Sequence, residues 1–157
     1  MRLFLSTLVI GLASVHGLAA GARTPRCAGT APTLIASAST LELVPPGATE
    51  VLLCRYRGLN PAAAAHRLVR GKLIANAAEV TRLTKEMDGL PKTHGRIACP
   101  MDDGSEFVAS FEYPHSGPAT VSIGLTGCRT VTNGRLTRSA AGAAGSRLVA
   151  QLTSLLR

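Results

Sequence analysis

The chain has 157 residues, 17 lysines and arginines against 9 aspartates and glutamates, and only 3% aromatic residues. This length suits one ordinary domain with a leader and excludes a chain of several domains. The formal net charge of +8 is compatible with attraction to polyanions. However, the arginines are dispersed and few aromatic side chains are present to stack on bases, so a nucleic-acid partner is not expected.

The first 22 residues have the layout of a secretory signal peptide. Arg2 precedes an apolar run at residues 3–13, and the small residues Ala20-Gly21-Ala22 form a cleavage site. The run is shorter than the roughly 20 apolar residues that span a bilayer, and no longer run follows it. We therefore predict residues 1–22 as the signal peptide, secretion of the protein, and no membrane span after cleavage.

Residues 23–38 are predicted to form a flexible leader, and residues 39–157 a single domain. The leader is small, polar and proline-containing, so we expect it to be exposed and held down only by Cys27. Little function is expected there.

Three strands open the predicted domain, at residues 40–44, 49–57 and 66–74. The second strand alternates between two faces, and we expect the face with Leu52, Cys54 and Tyr56 to point into the core. Arg55 and Arg57 flank Tyr56 on this strand. They form either a solvated face of the sheet, which we favour, or an exposed row that binds an acidic partner.

A capped helix is predicted at residues 76–88. Asn76 and Glu79 have the spacing of a capping box, in which the Asn76 side chain accepts from the Glu79 amide while Glu79 reaches back to the Asn76 amide. Apolar residues then recur at three- and four-residue spacing, at Val80, Leu83, Met87 and Leu90. This spacing gives the helix an apolar face for packing.

The second half of the chain alternates as antiparallel strands and ends in a helix. Residues 106–113 and 119–126 have the period-two alternation of a hairpin. Asn133-Gly134 is a favoured two-residue turn and predicts another hairpin. After a glycine-rich linker, leucines at helical spacing from about Ser146 predict a helix. The predicted fold is α+β: an antiparallel β-sheet with one central capped helix and a C-terminal helix packed on it, stabilised by disulfides.

Four cysteines lie in the predicted mature chain, at Cys27, Cys54, Cys99 and Cys128. An even number in an exported chain predicts a disulfide framework. A zinc site is not favoured, because no two cysteines are close in sequence and no ligand spacing occurs among His66, His94 and His115. Four cysteines allow three pairings. We favour Cys27 with Cys54 and Cys99 with Cys128, because these pairs close the shorter loops.

The segment CPMDDGS at residues 99–105 raises the question of chemistry. Asp102 and Asp103 are either turn residues or ligands for calcium, and a turn is favoured because the spacing of a calcium loop is missing. No nucleophile with an adjacent base and no phosphate-binding glycine loop is recognised. We therefore predict no catalytic residue, no metal, no cofactor, and a protein that is not an enzyme.

Four short motifs carry a resemblance to other chains. They are Cys54-Arg55-Tyr56, CPMDDGS at 99–105, FEYP at 111–114, and GC followed by VTNG within 127–134. With them, residues 49–138 resemble small secreted actinobacterial proteins that have no assigned function. The resemblance implies export and disulfides, and it carries over no catalytic residue.

A second resemblance is to the Streptomyces subtilisin inhibitor family, whose reactive loop also begins with Cys-Pro. It implies that Pro100, Met101 and Asp102 form an inhibitory loop, with Met101 entering the protease pocket and Met101-Asp102 as the reactive bond. Cys99 and Cys128 would brace that loop. This chain departs from the family in the acidic residues and the glycine after Met101, and in the absence of a partner cysteine shortly after Cys54.

The sequence thus predicts a secreted, non-enzymatic domain with an unidentified partner outside the cell or at the cell envelope. The alternative is a serine protease inhibitor of the subtilisin-inhibitor type, for which a protease is the partner. Both hypotheses share the disulfide framework and differ in what residues 100–102 do.

Overall fold

The computed structural model describes residues 25–36, 41–93, 99 and 101–157. The predicted signal peptide at residues 1–22 lies outside these ranges, as do His94 and Pro100. Among the described residues, no helix has both the length and the apolar composition needed to cross a membrane.

Six strands and two α-helices make up the described fold. The strands are β1 (Glu50–Tyr56), β2 (Leu68–Ile74), β3 (Glu106–Glu112), β4 (Ala119–Gly124), β5 (Thr130–Thr132) and β6 (Thr137–Ser139), and the helices are α1 (Ala77–Asp88) and α2 (Gly142–Leu155). The strands form one sheet in the order β2-β1-β3-β4-β5-β6, and every neighbouring pair is antiparallel. The predicted α+β class is therefore confirmed.

The main hydrophobic core lies between the two helices and one face of the sheet. Strand β1 contributes Val51 and Leu53 to it, and β3 contributes Phe107 and Phe111. The helices cover this face with buried side chains, among them Val80, Leu83, Met87, Leu148 and Leu152. Because side chains alternate along a strand, the other face of β1 is left to a second, smaller cluster.

Cys54 is buried as predicted, but in a second cluster and not in the core beneath the helices. Leu52, Cys54 and Tyr56 form the smaller cluster together with Val108, on the face of the sheet away from the helices. Both faces of β1 carry apolar side chains, so alternation alone does not tell which of them the helices will cover.

The leader is attached to the sheet at more points than the predicted Cys27. The Leu68 amide donates to the Gly29 carbonyl at 2.9 Å, and the Ala31 amide donates to the His66 carbonyl at 2.9 Å. The expectation that Cys27 alone holds the leader is therefore wrong, because the leader's backbone pairs with the residues at the start of β2.

Helix α1 begins as the sequence predicts. The Asn76 side chain accepts a hydrogen bond from the Glu79 amide at 3.0 Å, which satisfies an amide that has no partner within the helix. The Glu79 carboxylate differs from a capping box, because it accepts from Arg82 at 2.8 Å and from Gln151 of α2 at 2.8 Å. Glu79 therefore links the two helices.

Helix α2 begins at Gly142, four residues before the predicted start at Ser146, so part of the predicted linker is helical. Gly145 explains how this turn fits. It is buried, and a Cβ atom added there would lie 1.9 Å from the Ala140 carbonyl oxygen. Only glycine allows the helix to approach the preceding segment this closely.

Residues 41–44 contain no strand, contrary to the prediction. Leu43 and Val44 are buried in the main core. The Leu43 amide donates to the Asp88 carboxylate at 2.6 Å, and burial raises the pKa of Asp88. Side chains of other elements thus satisfy this segment's backbone, which therefore needs no strand partner.

The predicted hairpin of β5 and β6 is confirmed, but its turn lies one residue later than predicted. The Asn133 amide donates to the Leu136 carbonyl at 3.2 Å, so Gly134 and Arg135 are the central residues and not Asn133 and Gly134. Asn133 is 0% exposed. Its side-chain oxygen accepts from the amides of Arg135 (3.0 Å) and Leu136 (2.8 Å). Its side-chain nitrogen donates to the carbonyls of Glu42 (3.1 Å) and Leu43 (3.2 Å). Asn133 therefore belongs to the interior, where it joins this loop to the segment before β1.

Candidate functional site: the loop at Met101

Both predicted disulfides are present, Cys27 with Cys54 and Cys99 with Cys128. The described residues include no free cysteine. The first bond ties the leader to β1. The second joins Cys99, two residues before the loop at residues 101–105, to Cys128 in the segment between β4 and β5. The start of the loop is therefore covalently attached to that segment.

The two acidic residues of the loop accept hydrogen bonds from the loop's own backbone. Asp102 Oδ1 accepts from the Gly104 amide at 2.9 Å, and Asp103 Oδ1 accepts from the Ser105 amide at 2.8 Å. These are the side-chain to backbone bonds of a turn, as the sequence predicts. Within the described ranges, no three histidine, cysteine, aspartate or glutamate side chains form a group that could hold a metal ion.

Thr126 is a site residue that the sequence alone did not indicate, and it holds the loop from the end of the opposite strand. Its hydroxyl donates to the Asp103 carboxylate at 2.6 Å and accepts from the Asp103 amide at 3.0 Å. The predicted hairpin contained the signal for this contact. Because Glu106 pairs with Gly124, extending the same register places Thr126 beside the loop.

Close packing against the residues after β1 completes the support of the loop. The Leu59 amide donates to the Asp103 carbonyl at 2.6 Å. A Cβ atom added to Gly58 would lie 2.3 Å from the same carbonyl oxygen, and one added to Gly127 would lie 2.6 Å from the Asp102 Cβ. The loop therefore has contacts on both sides in addition to its disulfide.

The hydrogen bond from the Thr126 hydroxyl, joined by those from Ser105, lowers the pKa of Asp103 to about 2. An aspartate in an unfolded chain has a pKa of about 3.9. Because the folded value is the lower one, the stability contributed by the ionised carboxylate is present above about pH 4 and is lost as the pH falls from about 4 through about 2.

We therefore expect Thr126→Val to raise the pKa of Asp103 toward its ordinary value, because the variant lacks the hydroxyl that binds the ionised carboxylate. An NMR titration of the Asp103 carboxyl carbon measures this shift. Thr120→Val is the control, since its hydroxyl lies 3.2 Å from that of Ser110, away from the loop. An Asp103 midpoint that is unchanged in Thr126→Val would contradict the assignment.

The supported loop displays an exposed apolar side chain. Met101 is 93% exposed and has a φ of 62°. Leu59 and Val69 are exposed by 51% and 47%. Leu59 packs beside Gly104 of the loop. Val69 and Arg57 line a cavity of about 290 Å³, and Asp103 of the loop lines the same cavity. We name Arg57, Leu59, Val69 and Met101 the Met101 surface.

The other predicted site residues have different surroundings. Asp102 is exposed beside Met101, whereas Pro100 lies outside the described residues. His66 packs beside Gly104, and His115 is exposed in the turn between β3 and β4. The loop therefore brings Met101, Asp102 and Asp103 together with His66 nearby.

No known family model matches the chain, and neither curated proteins nor solved structures give a significant match.

Proposed function

We propose that the chain is a secreted, disulfide-stabilised, non-enzymatic domain that binds a protein partner outside the cell or at the cell envelope through the Met101 surface. The layout of residues 1–22 and the two disulfides support an oxidising compartment. The observation that carries the binding surface is the near-complete exposure of Met101 at the tip of a supported loop.

An interface that buries Met101 gains free energy from it. Burying a methionine side chain against a partner yields about 1.5 to 3 kcal/mol relative to leaving it in water. The disulfide and the bonds from Thr126 and Leu59 order the loop before binding, so less entropy is lost when the complex forms. Arginine and methionine are enriched in the centres of interfaces, and Arg57 stands beside the loop.

A serine protease inhibitor is the second candidate, and one observation favours it. Met101 is exposed two residues after a disulfide-bonded cysteine, which is where the resemblance to the subtilisin inhibitors puts the pocket-entering residue. Its backbone favours the first candidate. A chain bound like an added strand is extended, whereas a φ of 62° lies in the left-handed region. The Met101 side chain is therefore better placed to anchor in a partner's pocket than to be bound as a substrate.

The test is retention of secreted and envelope proteins on the immobilised protein, with Met101→Asp and Leu41→Asp as the variants. Leu41 is 82% exposed and lies outside the Met101 surface, so its substitution is the matched control. We expect Met101→Asp to weaken binding of the retained partner by about tenfold or more, and Leu41→Asp to leave it unchanged. Equal retention by wild type and Met101→Asp would contradict the proposal.

The same variants distinguish the second candidate. Inhibition of a subtilisin-like protease at nanomolar concentration, abolished in Met101→Asp, would establish the inhibitor. Cleavage after Met101 without inhibition would exclude it.

A further inference from the structure

The hairpin of β1 and β2 is the most basic part of the fold. Between Glu50 and Glu79 the chain contains no acidic residue, and it contains five basic ones, Arg55, Arg57, Arg67, Arg70 and Lys72. The ion pair between Arg82 and Glu79 is the single salt bridge among the described residues. No carboxylate is therefore paired with the basic side chains of this hairpin.

The strand register places two of these charges directly opposite each other. Arg55 of β1 pairs with Arg70 of β2, and like charges at opposite positions destabilise a sheet. Basic residues on an edge strand prevent aggregation, which accounts for Arg70 on the outermost strand. It does not account for Arg55, because β1 lies between β2 and β3. An acidic residue at position 55 would stabilise the pair, so the repulsion calls for another explanation.

These two arginines and Arg157 line one cavity of about 270 Å³. We name these three residues the basic corner. No acidic side chain lines the cavity, and its apolar wall includes the buried Phe107 and Leu156. The Arg55 guanidinium lies 5.9 Å from the centre of the Phe107 ring, a cation–π distance that restrains its position.

We propose that the basic corner binds the phosphate or sulfate groups of a polyanion. A guanidinium donates paired hydrogen bonds to tetrahedral oxyanions. Three guanidinium groups around one cavity suit a ligand with several negative charges better than a single carboxylate. Bound anion also removes the repulsion between Arg55 and Arg70. Val69 and Arg55 line both this cavity and the one beside the loop, so the two sites adjoin. The basic corner does not use Met101, and it adds a second ligand to the proposed function without depending on the first.

The test measures binding of the purified protein to heparin, which carries sulfate, and to inorganic polyphosphate, across a series of salt concentrations. We expect wild type to bind at least one of them at low salt, with affinity falling steeply as salt increases. Arg55→Gln/Arg70→Gln is expected to weaken that binding by about tenfold or more. The slope of log affinity against log salt should become shallower by about 2. Preference for one polymer identifies the group as sulfate or phosphate.

Arg135→Gln/Arg147→Gln is the matched control, because both arginines are exposed outside the cavity and the same net charge is removed. An equal loss in both double variants would show that only net charge matters, and it would overturn the proposal, as would failure of wild type to bind either polymer.

Poly-glutamate binding as tightly as heparin and polyphosphate would overturn the assignment to phosphate or sulfate. Met101→Gln, which removes the apolar side chain of the Met101 surface without changing the net charge, should bind the polyanion like wild type, so failure here is distinguishable from failure of the Met101 surface. Thermal unfolding of Arg70→Gln, which removes the repulsion and leaves the contact of Arg55 with Phe107, should show no loss of stability.

Discussion

Replacing Cys27 and Cys54 together with alanine is expected to lower the free energy of unfolding by about 3.5 kcal/mol. The bond closes a loop across a sequence separation of 27 residues, and its loss restores the conformational freedom of that loop in the unfolded chain. The leader then stays on the sheet through its hydrogen bonds, such as that of the Tyr56 hydroxyl to the Ala28 carbonyl at 3.1 Å, and through the packing of Ala31 on the small cluster. We expect the small cluster around Leu52 to become more exposed as the leader frays.

Denaturant unfolding at equilibrium measures this change. The matched control is the double alanine variant of Cys99 and Cys128, whose sequence separation of 29 predicts a nearly equal loss of about 3.5 kcal/mol from chain entropy. Any additional loss in the Cys27 and Cys54 variant then reports the packing of the leader. A loss below about 1 kcal/mol, under the typical range for such bonds, would contradict the prediction.

Asn133→Ala is expected to lower the free energy of unfolding by about 3 kcal/mol. The side chain makes four hydrogen bonds to backbone groups and is fully buried. Alanine leaves two amides and two carbonyls without these partners, and a buried polar group without a partner costs about 1 to 3 kcal/mol. The estimate is below the sum of four such costs because the loop at 133–136 can relax toward water.

Thermal and denaturant unfolding of Asn133→Ala and Arg135→Ala provide the comparison. Arg135 is exposed in the same loop and engages Asn133 through its backbone amide, so its alanine variant should change stability by less than about 0.5 kcal/mol. Asn133→Asp keeps the oxygen acceptors and replaces the donor with a charge facing two carbonyls. We therefore expect it to be no more stable than Asn133→Ala. Wild-type stability in Asn133→Ala would show that the loop does not depend on these bonds.

Local patterns predicted the elements whose residues interact with near neighbours in sequence. The Asn76 cap and the apolar spacing from Val80 onward predicted α1, because a helix places residues three and four apart on one face. The alternation in β3 and β4 predicted their hairpin for the equivalent reason. The favoured disulfide pairing followed from loop length.

Other features depend on residues that are far apart in the chain. Asn133 reads as a turn residue until the carbonyls of Glu42 and Leu43 are placed beside it. Thr126 reads as an ordinary strand end until the hairpin register brings it to Asp103. From the sequence, Arg55 is expected on a solvated face of the sheet. The pairing with β2 places Arg70 opposite it, and the end of α2 brings Arg157 to the same cavity.

By itself, the sequence determined the strands from β1 to β4, the capped helix and the α+β class, because each follows from periodicity along the chain. It favoured the observed cysteine pairs among three possible pairings, and the tertiary structure decided between them. Only the tertiary structure decided that the Val51 face is the main core, that the leader pairs with β2, and that Met101 projects from a supported loop. The physical reason is that local sequence leaves two alternatives open in each case. Both faces of β1 are apolar, and only the position of the helices decides which face they cover. Asp102 and Asp103 suit a turn or a metal site, and only their hydrogen-bond partners distinguish the two.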